Sequence, residues 1–97
     1  MSEFPVTELS VKIRDRLRMV IDPEIGRNII DIGLIYGIDV LENETVIIDM
    51  TTTTRGCPAT GFLMDAVREC ILDSALAQSV EVRLTYEPPW LPDMMSD

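Results

Sequence analysis

The segment best suited to chemistry is Thr51-Thr52-Thr53-Thr54-Arg55-Gly56-Cys57-Pro58, which leads from a β-rich stretch into a helical pattern. Proline fits the first position of a helix, because its missing N–H would have no partner there. The free N–H groups and the positive dipole end of a helix start favour a thiolate over a thiol. We therefore expect Cys57 to be an exposed, activated sulfur that serves as a nucleophile or as a soft-metal ligand. The alternative is a small residue chosen for packing.

Other polar side chains could share a site with this sulfur. Asp22 and Glu24 lie in a predicted loop, where they could hold a metal, orient a thiol or receive a proton, although turn and capping roles also explain them. Among the threonines, Thr53 and Thr54 stand nearest Cys57 in sequence, and their hydroxyls could donate hydrogen bonds to a bound ligand. Arg27 and Arg55 could pair with a carboxylate or keep the thiol ionised, or could simply be solvated.

The second cysteine has a different predicted role. Cys70 shares a face of the second predicted helix with apolar residues such as Phe62, and free cysteine is often buried. Thirteen residues at 1.5 Å each place it about 20 Å from Cys57. One disulfide or one metal therefore cannot join the two sulfurs within a monomer. Histidine is absent from the chain, which excludes Cys-His and Ser-His-Asp catalysis.

Composition limits the class of protein. The 97 residues are enough for one small domain, and the hydrophobic fraction of 46% favours a compact core. Seventeen acidic residues against eight basic ones give a net charge of −9, which disfavours nucleic acids and anionic membranes as partners. No secretory signal, no apolar run of membrane length and only two cysteines together predict a cytoplasmic protein with free thiols.

Hydrophobic periodicity predicts an α+β fold. The predicted elements are a helix capped by Thr7 and ended by Asp22-Pro23, a hairpin of strands over residues 34–40 and 45–50, a helix over residues 58–74, a strand over residues 80–86 and an irregular tail over residues 88–97. The helical crossover makes the third strand parallel to its neighbour. We expect a single two-layer domain over residues 1–97, with a small mixed sheet covered on one face by helices. Trp90 either closes an edge of the core or anchors an interface.

Three segments together resemble a known family. They are residues 22–25 with residues 29–35, then residues 53–58, then Pro89-Trp90. In order and spacing this set is similar to PaaD-like and SufT-like proteins, the metal–sulfur cluster biosynthesis family. The resemblance implies an α+β domain that assists maturation of iron–sulfur (Fe–S) proteins in the cytosol. It also implies that Cys57 is the main functional residue, flanked by the Asp22–Glu24 loop and by Thr53 and Thr54.

The number of sulfurs limits what such a protein can hold. An Fe–S cluster usually takes four thiolates, whereas this monomer offers one usable sulfur. We therefore expect iron or a cluster to bind only transiently at Cys57, shared with a second subunit in a homodimer or with a client or assembly protein. Two alternatives stay open. The resemblance also implies an adaptor of a multicomponent oxygenase of the phenylacetate-degrading type, and Cys57 by itself would allow a thiol-dependent enzyme. We favour the assembly factor or adaptor over the enzyme.

Overall fold

The structure, a computed structural model, describes residues 6–95 and contains the predicted elements in the predicted order. They are α1 (Val6–Leu17), β1 (Ile35–Val40), β2 (Thr45–Met50), α2 (Thr60–Asp73), β3 (Ser79–Leu84) and a 3₁₀ turn (Pro92–Met94). Neither helix in this part of the chain is long and apolar enough to cross a membrane. The α+β prediction is confirmed.

The three strands form one mixed sheet with β2 in the middle. β1 pairs antiparallel with β2, as in Ile38 opposite Ile48, and a bulge interrupts the register between Ile35 and Gly37. β3 pairs parallel with β2, with Val80 opposite Val46. The predicted hairpin and the predicted parallel crossover through α2 are both confirmed.

The core lies between this sheet and the two helices. Alternate residues of β2 are buried, which is the period expected of a strand with one covered face. The fully buried apolar side chains are Ile13, Leu17, Ile29, Ile32, Leu34, Val46, Ile48, Met50, Leu63, Val67 and Ile71. The opposite face of the sheet is largely polar, and it carries Asp39, Asp49, Glu81 and Arg83.

Both helices are shorter than the sequence predicts. α1 ends at Leu17, not at Asp22-Pro23, because the next three residues form tighter i→i−3 hydrogen bonds that still bury Val20. α2 begins at Thr60, two residues after the predicted start at Pro58. The predicted capping role of the Thr7 side chain lies outside the side chains that the structure describes.

Two residues predicted for the apolar face of α2 are more exposed than expected. The side chain of Phe62 is 62% exposed, although its neighbour Leu63 is fully buried. Cys70 packs against the core but is only partly buried, and its S–H donates to the carbonyl oxygen of Arg16 at 3.3 Å. The apolar stripe of α2 is therefore wider than the surface that α1 and the sheet cover.

The tail folds back across the core instead of projecting from it. The indole Nε1–H of Trp90 donates to the carbonyl oxygen of Ile32 at 2.6 Å, and the ring packs against the core. The hydroxyl of Tyr36 donates to the carbonyl oxygen of Pro88 at 2.9 Å. The interpretation of Trp90 as a core-edge residue is confirmed. The prediction that the tail has no helical structure is wrong for Pro92–Met94.

Replacement of Gly33 by alanine should destabilise this docked tail. Gly33 has φ +81°, and an added Cβ would lie 2.7 Å from the carbonyl oxygen of Met94. We expect Gly33→Ala to lower the free energy of unfolding by roughly 2 kcal/mol. Gly61→Ala is the matched control, because Gly61 lies in α2 with open space around it, and this change should be neutral or slightly stabilising. Urea unfolding of the three proteins measures the difference, and equal stability of Gly33→Ala and Gly61→Ala would contradict the tail packing.

Candidate functional site

Cys57 lies in a turn just before α2 and not at its first helical position. Its carbonyl oxygen accepts hydrogen bonds from the backbone N–H of Thr60 at 3.1 Å and from the Thr60 hydroxyl at 2.7 Å. Gly56, with φ +72°, lets the chain reverse direction before the cysteine. The prediction that Cys57-Pro58 opens the helix is therefore wrong by one short turn.

The sulfur is enclosed and hydrogen-bonded. Cys57 is only 6% exposed, and its S–H donates to Oε1 of Glu24 at 3.3 Å. The backbone N–H of Ala59 is also directed at the sulfur. The prediction of an exposed sulfur is wrong, because the loop that carries Glu24 lies against it, and this contact joins residues 33 positions apart.

The surroundings of this thiol favour its protonated form. Burial is the largest effect and raises the pKa of Cys57, and the carboxylates of Glu24 and Asp22 raise it further. The hydrogen bond from the Ala59 N–H acts in the opposite direction but does not outweigh them. The prediction of an activated thiolate is therefore wrong for the protein by itself.

The carboxylate of Asp22 organises the loop beside the sulfur. Asp22 is 1% exposed, and its Oδ1 accepts the backbone N–H groups of Glu24 at 2.8 Å and of Ile25 at 3.3 Å. Two backbone hydrogen bonds close the same loop, from Asp22 N–H to Arg27 C=O at 3.0 Å and from Gly26 N–H to Asp22 C=O at 2.7 Å. Asp22 thus has the turn role that was the alternative to a ligand role, and by fixing this loop it places Glu24 beside the Cys57 thiol.

The threonine run is arranged by a second set of hydrogen bonds. Thr52 is buried, and its hydroxyl donates to the carbonyl oxygen of Thr54 at 2.6 Å. Because that hydroxyl has only one hydrogen, the Tyr86 hydroxyl donates to Thr52 across their 2.8 Å contact. The guanidinium of Arg55 lies 4.7 Å from the centre of the Tyr86 ring. The turn that precedes Cys57 is therefore fastened to the residues that follow β3.

The predicted ligand-binding threonines lie at the edge of the site. Thr53 is half-buried and Thr54 is exposed. Among the side-chain hydrogen bonds of residues 8–95, none joins the hydroxyl of either threonine to Cys57. Their role as ligand donors stays a prediction. The sequence interpretation missed Thr60 and Tyr86, which hold the turn; the Thr60 hydroxyl lies three residues after Cys57, a spacing typical of side-chain bonds to the backbone.

The donor set by itself cannot hold a metal firmly. Within residues 6–95, no three His, Cys, Asp or Glu side chains are grouped closely enough to bind a metal ion. The site offers one sulfur with the Glu24 carboxylate beside it, while one oxygen of the Asp22 carboxylate already accepts two backbone N–H groups. Further ligands would have to come from another molecule.

Comparison with known proteins decides the family. A family described as "Iron-sulfur cluster assembly protein" matches residues 10–84 of the chain. The chain belongs to this family. The matched region includes the Asp22–Glu24 loop, Cys57 and all three strands.

Individual relatives agree with this assignment. The chain is similar to an Fe-S protein maturation auxiliary factor from Porphyromonas gingivalis, with 43% identity over 99% of this chain and 90% of that protein. It is also similar to the Fe-S protein maturation auxiliary factor SufT from Staphylococcus aureus, with 40% identity over 80% of this chain and 89% of that protein. A solved structure of a domain of unknown function from Bacillus anthracis has a TM-score of 0.89 and 33% identity, over 93% of this chain and 86% of that one.

Alkylation of Cys57 should reveal the raised pKa. Because the folded protein holds this thiol protonated, we expect the rate of its reaction with iodoacetamide to rise with pH around a midpoint above that of the same thiol in the urea-denatured chain. Glu24→Gln removes one of the charges that raise the pKa, so its midpoint should fall. Peptide mass spectrometry separates Cys57 from Cys70.

Glu42→Gln is the control for that experiment. It removes one negative charge from the exposed turn between β1 and β2, away from the thiol, and should leave the midpoint unchanged. A midpoint in the folded wild type at or below that of the denatured chain would contradict the described site.

Proposed function

We propose that this protein is an auxiliary factor for maturation of Fe–S proteins, and that Cys57 is a transient ligand for iron or for a cluster in transfer. Family membership supports the process, since relatives across nearly the whole chain carry the name of Fe-S protein maturation auxiliary factor. The observation that supports the role of the sulfur is its contact with Glu24, which joins a thiol to a proton acceptor and an anionic oxygen.

Metal binding itself can convert the buried thiol of Cys57 to a thiolate ligand, with Glu24 as the proton acceptor. Cysteine binds metals as a thiolate, so binding releases the thiol proton. Glu24 accepts from that S–H in the structure, and it can pass the proton on to solvent because its side chain is exposed. Before binding, burial raises the thiol pKa most, and the negative charges of Glu24 and Asp22 raise it further. An Fe²⁺ ion offsets those two charges.

The scarcity of ligands makes transfer a better proposal than storage. A cluster bound by Cys57 needs about three further ligands. The second cysteine, Cys70, donates to the carbonyl oxygen of Arg16 in a groove between the helices and adds no ligand to Cys57 in the same subunit. The remaining ligands would come from a client or assembly protein, or from a second subunit. Because Cys57 supplies only one ligand, the cluster can be transferred to a client that supplies the others.

The structure adds to the case against a thiol-dependent enzyme. General-base catalysis near neutral pH is best served by a histidine, and the chain has none. The raised pKa of Cys57 reduces the thiolate that such an enzyme needs. The adaptor alternative makes a different prediction from the proposal, since adaptor binding would not depend on the sulfur. The cytoplasmic location stays a prediction.

Cys57→Ser should abolish maturation without unfolding the protein. In host cells from which the protein has been removed, a plasmid copy of the wild type should restore the activity of cluster-dependent dehydratases, measured per amount of dehydratase protein. The Cys57→Ser copy should restore none of it, because the hydroxyl replaces the only thiol at the site. Glu42→Gln, in the exposed turn between β1 and β2 and outside both the site and the groove, is the control and should restore activity in full.

Thermal unfolding of the purified variants checks that each one folds. Full restoration by a folded Cys57→Ser variant would refute the ligand role and would favour the adaptor.

A further inference from the structure

A groove separates the end of α1 from the exposed side of α2. Its volume is about 420 Å³, and its walls include Met19 and Ile21 from one side and Phe62, Ala66 and Cys70 from the other. Met19 is 65% exposed and Phe62 is 62% exposed, although a large apolar side chain is more stable when it is buried than when it faces water. Clustered exposed apolar side chains of this kind are typical of protein interaction surfaces.

The charges around the groove are unevenly placed. Glu69 and Asp73 are exposed on the α2 wall of the groove. They are four residues apart, so they are neighbours on one face of the helix. Arg16 lies on the α1 wall, and its Nε is the one buried side-chain nitrogen or oxygen without a hydrogen-bond partner among the side chains of residues 8–95. The α2 wall therefore suits basic side chains of a partner.

Two residues that line the groove are close in sequence to the candidate site. Ile21 immediately precedes Asp22, and Phe62 lies in the first turn of α2, five residues after Cys57. From Phe62 the groove follows α2 to Asp73, a distance of about 16 Å at 1.5 Å per residue. A segment of three turns of helix would fill that length.

We propose that this groove binds a helical segment of a partner protein, with an apolar stripe flanked by lysine or arginine. The apolar stripe would cover Met19, Ile21 and Phe62, and the basic side chains would face Glu69 and Asp73. A second copy of this chain is a poorer occupant, because each copy carries a net charge of −9 and would repel the other. The identity of the partner rests on the proposed function: the partner is the client or assembly protein that shares the metal at Cys57.

Three synthetic helical peptides of 14 residues test the occupant. A Leu–Lys peptide carries the proposed pattern, a Leu–Glu peptide reverses its charge, and a Ser–Lys peptide keeps the charge but lacks the apolar stripe. We expect only the Leu–Lys peptide to show saturable binding when each of the three is titrated into the protein by calorimetry at moderate salt. Amide chemical shifts should change along the groove and not on the polar face of the sheet.

Substitutions in the groove and outside it provide the controls. Phe62→Ser should weaken binding of the Leu–Lys peptide by about tenfold or more, because aromatic anchors dominate such interfaces. Val11→Ser is the matched control, since Val11 is 60% exposed on α1 but does not line the groove, and it should have no effect. The double variant Glu69→Gln/Asp73→Asn should weaken binding about threefold or more at low salt.

Failure of the Leu–Lys peptide to bind would overturn the proposal, and so would three other results. Equal binding of the Ser–Lys or Leu–Glu peptide would show that the groove does not select this pattern, and shift changes centred elsewhere would place the binding surface outside it. Sedimentation equilibrium that revealed a dimer, lost in Phe62→Ser, would assign the groove to a second copy.

The two proposals fail separately. Peptide binding is measured without metal, so it stands even if Cys57→Ser leaves maturation intact. Conversely, if the Leu–Lys peptide does not bind but Cys57→Ser abolishes maturation, the docking surface is wrong and the ligand role remains.

Discussion

The geometry of the candidate site depends on the buried carboxylate of Asp22. One of its oxygens accepts two backbone N–H groups at the start of the loop, and this fixes where Glu24 points. Burial of a carboxylate is costly unless hydrogen bonds compensate it, so the loop has little freedom to rearrange while Asp22 stays inside. Glu24 is then held against Cys57 from a distant part of the chain. Without this constraint the sulfur would lie in an open turn.

The consequence is a thiol that is protected until a cation arrives. Burial and two nearby carboxylates raise the pKa of Cys57, which lowers its thiolate fraction and makes it a poorer nucleophile and a poorer partner for accidental disulfides. The same negative charges become favourable when a metal ion is present. A helix start favours the thiolate, and the hydrogen bond from the Ala59 N–H does act in that direction. Burial of Cys57 outweighs it, and the two carboxylates add to the effect of burial.

Local sequence patterns predicted the elements better than the site. The strand over residues 45–50 agrees with β2 because a short polar turn, Glu42-Asn43-Glu44, marks its start, and in the structure alternate residues of this strand are buried. The first helix ended early because 3₁₀-type bonds follow it and still bury Val20, so apolar periodicity alone could not locate its end. The residues of the site were found, but the protonation of Cys57 was not. That property arises from contact with a loop 33 residues away, which no pattern around the cysteine encodes.

Proton release during iron binding tests the central claim most directly. Anaerobic calorimetric titration of the protein with Fe²⁺ at pH 7, at concentrations high enough to populate the weak complex that Cys57 and Glu24 alone can form, is repeated in buffers of different ionisation enthalpy and gives the number of protons released per iron bound. If Cys57 is held as a thiol beside Glu24 and becomes a ligand, the wild type releases about one proton per iron. Cys57→Ser then releases none. Iron binding with no proton release, or with equal release by the serine variant, would contradict the account.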